Sequence, residues 1–151
     1  MASPPPSGIY VPVPTFFSSS GSPDEFPATP SVDISTQSSY SLYLAKAGIK
    51  GLVILGTTGE AVYLHPRDRK QLISSARDAL KQGGFENYPL IAGTATQSIE
   101  ETVEQLVEAK ESGAQWGLCL APGYNATATT QEGIIKWFTA VADQSPIPIM
   151  M

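Results

Sequence analysis

The sequence predicts an α/β chain in which strands and helices alternate strictly around a parallel sheet. Three observations carry this: short apolar runs of strand length, capped helical patterns between them, and unbroken alternation of the two. Apolar runs without a polar face fit strands buried on both sides, which parallel sheets require. Two architectures accept that order. A doubly wound sheet is complete at 151 residues. A (β/α)8 barrel needs about 250 residues, so the chain would cover about its first four βα units plus strand five. The sequence ends inside the fifth apolar run with no covering helix after it. That favours the partial barrel.

Residues 1–7 form a polar Pro/Ser stretch, expected to be a disordered tail, with the barrel part running over residues 8–151. Residues 9–13 (IYVPV) read as the first strand, the two prolines suiting an edge or a strand start. Residues 18–30 have loop composition without periodicity and are expected to form a loop insertion. Asp33 caps a helix through Ala47 that Gly48 ends. Residues 51–55 (GLVIL) are the second strand, and Pro66 suits the first position of a helix through Lys81, ended by Gly83 and Gly84. Residues 89–93 (PLIAG) are the third strand. Ser98 with Glu101 makes a capping box for a helix with Ile99, Val103, Leu106 and Val107 on one face, ended by Gly113. Residues 116–121 (WGLCLA) are the fourth strand. Thr129 with Glu132 opens the last helix, with Ile134, Ile135, Phe138 and Val141 apolar, before a fifth strand at residues 147–151.

Composition excludes several functions. Nine Lys plus Arg against 14 Asp plus Glu leave a net charge of −5, which argues against nucleic acid as a partner and offers an anionic membrane no basic patch. The longest apolar runs are far too short to span a bilayer. A single cysteine, Cys119, and a single histidine, His65, leave no internal disulfide and no metal site to build. No Lys or Arg precedes Lys46, so a secretory leader is not expected and a cytoplasmic protein is. His65 reads as a residue at a helix start, Cys119 as a small buried hydrophobe, Trp116 and Trp137 as packing residues, and Arg67 to Lys70 as a solvated helix face.

In either architecture chemistry belongs beyond the carboxyl ends of the strands. Those positions hold Thr15, then Gly56-Thr57-Thr58-Gly59-Glu60, then Thr94-Ala95-Thr96, then Tyr124-Asn125. Such a ring of hydroxyls and glycines suits a small carboxylate or phosphate, because free amides and hydroxyls bind an anion without a formal charge. The glycine loop is not a GxGxxG and lacks the lysine of a phosphate-binding P-loop. Spacing alone does not separate a strand-to-helix turn from a binding loop.

The segment Gly56-Thr57-Thr58-Gly59-Glu60, behind its apolar strand, resembles the signature of the dihydrodipicolinate synthase/N-acetylneuraminate lyase family of class I aldolases. Pro14-Thr15-Phe16-Phe17, Ala92-Gly93-Thr94 and Ala121-Pro122-Gly123-Tyr124-Asn125 match in family order. The resemblance implies a (β/α)8 barrel and a lyase or synthase that joins pyruvate, or another 2-oxo acid, to a lysine as a Schiff base. It would then condense or cleave that acid with an aldehyde, without a cofactor. Dihydrodipicolinate synthase, 4-hydroxy-2-oxoglutarate aldolase and 2-keto-3-deoxy sugar acid aldolase are all of this type.

By the same resemblance Thr58, with Gly59 beside it, holds the 2-oxo acid carboxylate, and Thr57 belongs to a proton relay. Tyr124 resembles the relay tyrosine that reaches a neighbouring subunit, which implies a homo-oligomer, a dimer or a tetramer. Glu60 is expected to brace the loop. Gly123 stands where an aromatic residue is common, and Phe16 where a proline is usual. The family's second relay tyrosine follows strand five and its lysine ends strand six, so both are expected beyond Met151. Lys46, Lys70, Lys81, Lys110 and Lys136 fall on helices, and Lys50 precedes strand two. The chain as given is therefore expected to be inactive alone. Two other readings stay open: a non-catalytic truncated fragment that survives by association, and a complete doubly wound domain binding phosphate through its GTTG loop.

Overall fold

The computed structural model describes residues 3–18 and 30–151. The start of the expected tail and most of the expected 18–30 insertion lie outside the described residues. The insertion's two ends are tied together: Ser18 N donates to Ser31 O at 2.8 Å, and Phe17 bridges Val32 in antiparallel fashion.

The order of elements is β1 (Tyr10–Pro12), α1 (Ile34–Lys46), β2 (Gly51–Ile54), a single 3-10 turn (Ala61–Tyr63), α2 (Pro66–Gln82), β3 (Leu90–Gly93), α3 (Ile99–Glu111), β4 (Trp116–Leu118), α4 (Gln131–Gln144) and β5 (Ile149–Met150). All strand pairs are parallel, and the sheet runs β1-β2-β3-β4-β5 in chain order. A doubly wound sheet reverses its strand order at a switch point. No reversal occurs here, so the doubly wound reading falls and the chain is a partial (β/α) barrel.

The caps set the helix boundaries. Asp33 accepts from Thr36 N at 3.0 Å and its other oxygen from the Thr36 hydroxyl at 2.6 Å. These bonds hold its carboxyl below its ordinary pKa. His65 caps α2, its Nδ1 accepting from Arg67 N at 3.3 Å with Pro66 at the first helical position. Ser98 caps α3, but the expected box closes on one side only. The Glu101 carboxylate accepts from the Thr96 hydroxyl instead of from Ser98 N, which donates to Thr96 Oγ1. The cap of α4 is Thr130, one residue later than expected, accepting from Gly133 N at 3.1 Å.

The core lies between the sheet and its helices. Leu52, Ile54, Leu90, Ala92 and Cys119 meet Leu72, Ala76, Leu80, Leu106 and Val141 there, each fully buried leucine contributing roughly 2 kcal/mol. Close approach at β4 depends on Gly117, where an added Cβ would sit 2.2 Å from Leu106. Of the expected face of α3, Leu106 is buried and Ile99 packs against the core, while Val103 is half-buried and Val107 exposed; Thr102 and Ala109 complete the buried stripe. On α4 Trp137 and Val141 are buried while Ile135 is exposed.

Arg69 departs from the expected solvated face: it is 6% exposed. Its Nε has no partner among the described residues, and burial lowers its pKa against an opposing pull from Glu108. It borders a cleft of about 360 Å³ shared with Ala61, Thr96, Glu101 and Glu108.

At the N-terminal ends of the strands, side chains close the loops. Arg77 donates to Gly113 O (2.8 Å and 3.1 Å), Tyr88 O (2.8 Å), Glu86 O (3.4 Å) and Gln115 Oε1 (2.7 Å). Gln115 Oε1 also accepts from Leu90 N at 2.8 Å, and the Tyr88 hydroxyl donates to Ile49 O. The Pro/Ser segment reaches this end too, with Trp116 Nε1 donating to Ser3 O at 2.9 Å and Tyr10 to Pro6 O at 2.7 Å.

Candidate functional site at the C-terminal strand ends

The loop after β2 is shaped by backbone that L-residues rarely adopt. Leu55 has φ of 65° and Glu60 φ of 55°, bracketing residues 56–59. A buried leucine in the left-handed region costs on the order of 1–3 kcal/mol and persists only where its surroundings enforce it. It also ends β2 one residue before the apolar run does.

Two overlapping turns follow, with Gly59 N donating to Gly56 O at 2.9 Å and Glu60 N to Thr57 O at 3.1 Å. The backbone amides of Gly56, Thr57 and Thr58 donate to no group among the described residues. The hydroxyls of Thr57 and Thr58 are likewise unbonded among them, and both side chains are exposed. Successive free amides with adjacent hydroxyls are donors of the kind that bind a small anion. Gly59 lies buried beneath them, and an added Cβ would meet Leu55 N at 3.0 Å and Val13 O at 3.1 Å.

The other expected rim residues divide. Thr15 is 8% exposed and donates to Gly59 O at 2.6 Å. Thr94 is 4% exposed and its hydroxyl has no hydrogen-bond partner among the described residues. It lies beside the Cys119 thiol, which burial pushes up in pKa against a smaller lowering by Thr94. Thr96 is committed to Glu101 and Ser98 N. Of the threonines in the expected ring, Thr57 and Thr58 alone among the described residues present hydroxyls that are both unbonded and exposed. Glu60 is exposed, and its carboxylate bonds to nothing among the described residues. Its contribution is the left-handed turn rather than a brace.

Tyr124 is 87% exposed in the loop between β4 and α4. Its backbone N donates to Gln97 Oε1 at 2.8 Å, and Gln97 O accepts from Trp137 Nε1 at 2.9 Å. Gln97 thus ties the loop after β3 to the loop after β4. Sequence reasoning missed it, because a single glutamine before a capping serine carries no pattern. Thr57 and Tyr124 sit at the same end of the sheet with β3 between their strands.

All six lysines are exposed, and none stands in a loop at this end. Among the described residues no group of His, Cys, Asp and Glu could hold a metal ion, and no helix is long and apolar enough to cross a membrane.

The sequence that folds into this consecutive parallel sheet matches the model of the dihydrodipicolinate synthetase family over residues 23–151. The chain belongs to that family. It is 41% identical over 145 residues to an L-threo-3-deoxy-hexylosonate aldolase of Aspergillus niger, covering 95% of this chain and 41% of that protein. Other curated relatives are named as mitochondrial 4-hydroxy-2-oxoglutarate aldolases and as 4-hydroxy-tetrahydrodipicolinate synthases.

Among solved structures, a dihydrodipicolinate synthase family protein of Coccidioides immitis superposes with TM-score 0.81 at 38% identity. It is covered to 43% by 96% of this chain. A prophage protein of the same family from E. coli K12, in complex with pyruvate, gives TM-score 0.76 at 29% identity, with 95% and 43% covered. The chain spans about two fifths of the length of the curated relatives it matches.

Proposed function

We propose that this chain supplies the 2-oxo acid carboxylate site of a class I, Schiff-base aldolase that acts on a 3-deoxy sugar acid or a similar 4-hydroxy-2-oxo acid. The carrying observation is the unpartnered donor set of the Gly56, Thr57 and Thr58 amides with the Thr57 and Thr58 hydroxyls. A carboxylate seated there would accept from Thr58 and the amides, over Gly59. The identity to a deoxy-hexylosonate aldolase and the pyruvate-bound family structure support this choice of ligand.

In the reaction a lysine amine attacks the 2-oxo carbon, water leaves, and the resulting imine gains or loses an aldehyde through its enamine. Thr57 and Tyr124 would carry protons to and from the intermediates. The exposure of Tyr124 suits a side chain completed by a neighbouring subunit in a homodimer or homotetramer. The lysine itself has no counterpart here: an amine nucleophile needs a desolvated pocket to lower its pKa, and all six lysines are solvated. The cytoplasmic location expected from the sequence belongs to the same proposal.

Titration with pyruvate, followed by backbone NMR, tests the reading. The amides of Gly56, Thr57 and Thr58 are expected to shift together, and Thr58→Val to weaken binding by about tenfold, the worth of a hydrogen bond to a charged group. Borohydride with pyruvate is expected to leave no lysine adduct. Unshifted loop amides at saturating pyruvate would remove the carboxylate site, and a pyruvyl-lysine adduct would overturn the assignment of the lysines.

A further inference from the structure

The loop that presents Gly56, Thr57 and Thr58 is not self-supporting. Its own bonds are two overlapping turns, and both flanking residues, Leu55 and Glu60, stand in the left-handed region. The restraints come from outside the loop, from the strands on either side of β2. From β3, Gly93 lies directly under Leu55, where an added Cβ would stand 2.0 Å from Leu55 O. Only a residue without a side chain lets that carbonyl turn inward. From the β1 side, the Thr15 hydroxyl donates to Gly59 O at 2.6 Å, 44 positions away in sequence and buried. Gly59 itself is pressed against Leu55 and Val13 O.

We propose that Thr15 is a positioning residue for the anion site, holding Gly59 O so that the amides of residues 56–58 stay outward and free. The proposal rests on the carboxylate reading above for its ligand, but the clamp itself is a property of the loop. With the Gly59 carbonyl tethered inward, the peptide plane joining Gly59 to Glu60 is fixed. The turn from Gly56 to Gly59 then cannot rotate to bury its amides on its own carbonyls. Without the hydroxyl, the carbonyl is released, and the strained residues at both ends favour relaxation of the loop.

Two measurements on the 151-residue chain separate the clamp from the ligand. Hydrogen exchange of the Gly59 and Glu60 amides, with the Gly59 carbonyl 13C shift, reads the clamp. Pyruvate titration reads the site. Thr15→Val is expected to speed exchange of both amides by about tenfold and to move the Gly59 carbonyl shift, with the amides of β3 unaffected. Thr15→Ser, which keeps the hydroxyl, is expected to restore both readings.

If Thr15→Val does not fold, Thr15→Ala takes its place, since it removes the hydroxyl without adding a methyl group. Loop exchange and carbonyl shift unchanged in the hydroxyl-free variant, or Thr15→Ser behaving like Thr15→Val, would overturn the clamp. A merely structural threonine would lower the melting temperature of Thr15→Val yet leave loop exchange and pyruvate affinity as in the wild type. Absence of pyruvate binding in the wild type with the exchange pattern as expected would sink the proposed function and leave the clamp standing.

Discussion

The two ends of the sheet are built from the same alternation of strand and helix, yet they treat their polar groups in opposite ways. At the N-terminal end Arg77, Gln115 and Tyr88 donate to the loop carbonyls of Glu86, Tyr88, Gly113 and Ile49. At the C-terminal end the loop after β2 leaves consecutive amides and two hydroxyls without partners. A buried or half-buried carbonyl left unpaired costs about 1–3 kcal/mol, so saturation is what stability alone selects. At the other end Thr57 and Thr58 are exposed, so water satisfies their donors at little cost, and the carboxylate proposed above would take that water's place.

The sharpest way to break this contrast is Gly93→Ala. The new methyl group would collide with Leu55 O at 2.0 Å. The backbone must move, and a loss of about 3 kcal/mol or more is expected in urea unfolding. The urea midpoint of Gly93→Ala measures this, and a wild-type midpoint would show that the C-terminal end is looser than its strained residues indicate.

Arg77→Ala attacks the opposite end. It leaves Gly113 O and Tyr88 O without the guanidinium and is expected to cost about 2 kcal/mol, with pyruvate shifts at residues 56–58 unchanged. A lost pyruvate response in the folded variant would mean that the two ends are coupled.

The smallest effect concerns Asp33, at the start of α1. Its folded pKa lies below the ordinary 3.8 because of its bonds to Thr36, so its capping contribution is complete above that value and fades as pH falls through the lower folded one. Asp33→Asn keeps the cap but not the titration. Thermal unfolding between neutral pH and pH about 3 is expected to show a shallower acid decline for the asparagine variant.

Much of the architecture was legible in the sequence because it depends on local chemistry. Asp33, His65-Pro66 and Ser98 stand where the helices start, and Gly48, Gly84 and Gly113 take the positive φ that ends them. Apolar runs located every strand, but their ends were overread: Leu55 leaves the sheet through its left-handed turn, a constraint set by Gly93 on the next strand. The rim was legible in composition and not in state. Thr15, Thr94 and Thr96 carry the same hydroxyl as Thr57 and Thr58, and only the tertiary fold turns the first to a carbonyl, buries the second beside a thiol and gives the third to Glu101. Arg69 shows the same limit, because its burial comes from packing that its charged neighbours in sequence do not announce.

The consecutive strand order has a further consequence for how the chain is made. Each strand pairs with the one synthesised before it, so every βα unit emerging from a ribosome can dock on a finished edge and need not wait for a distant partner. Such vectorial growth keeps loop-closure costs small at each step. The bond from Trp116 to Ser3, spanning 113 positions, is the exception. It can form only once the fourth strand has arrived, so it belongs to a late stage of assembly.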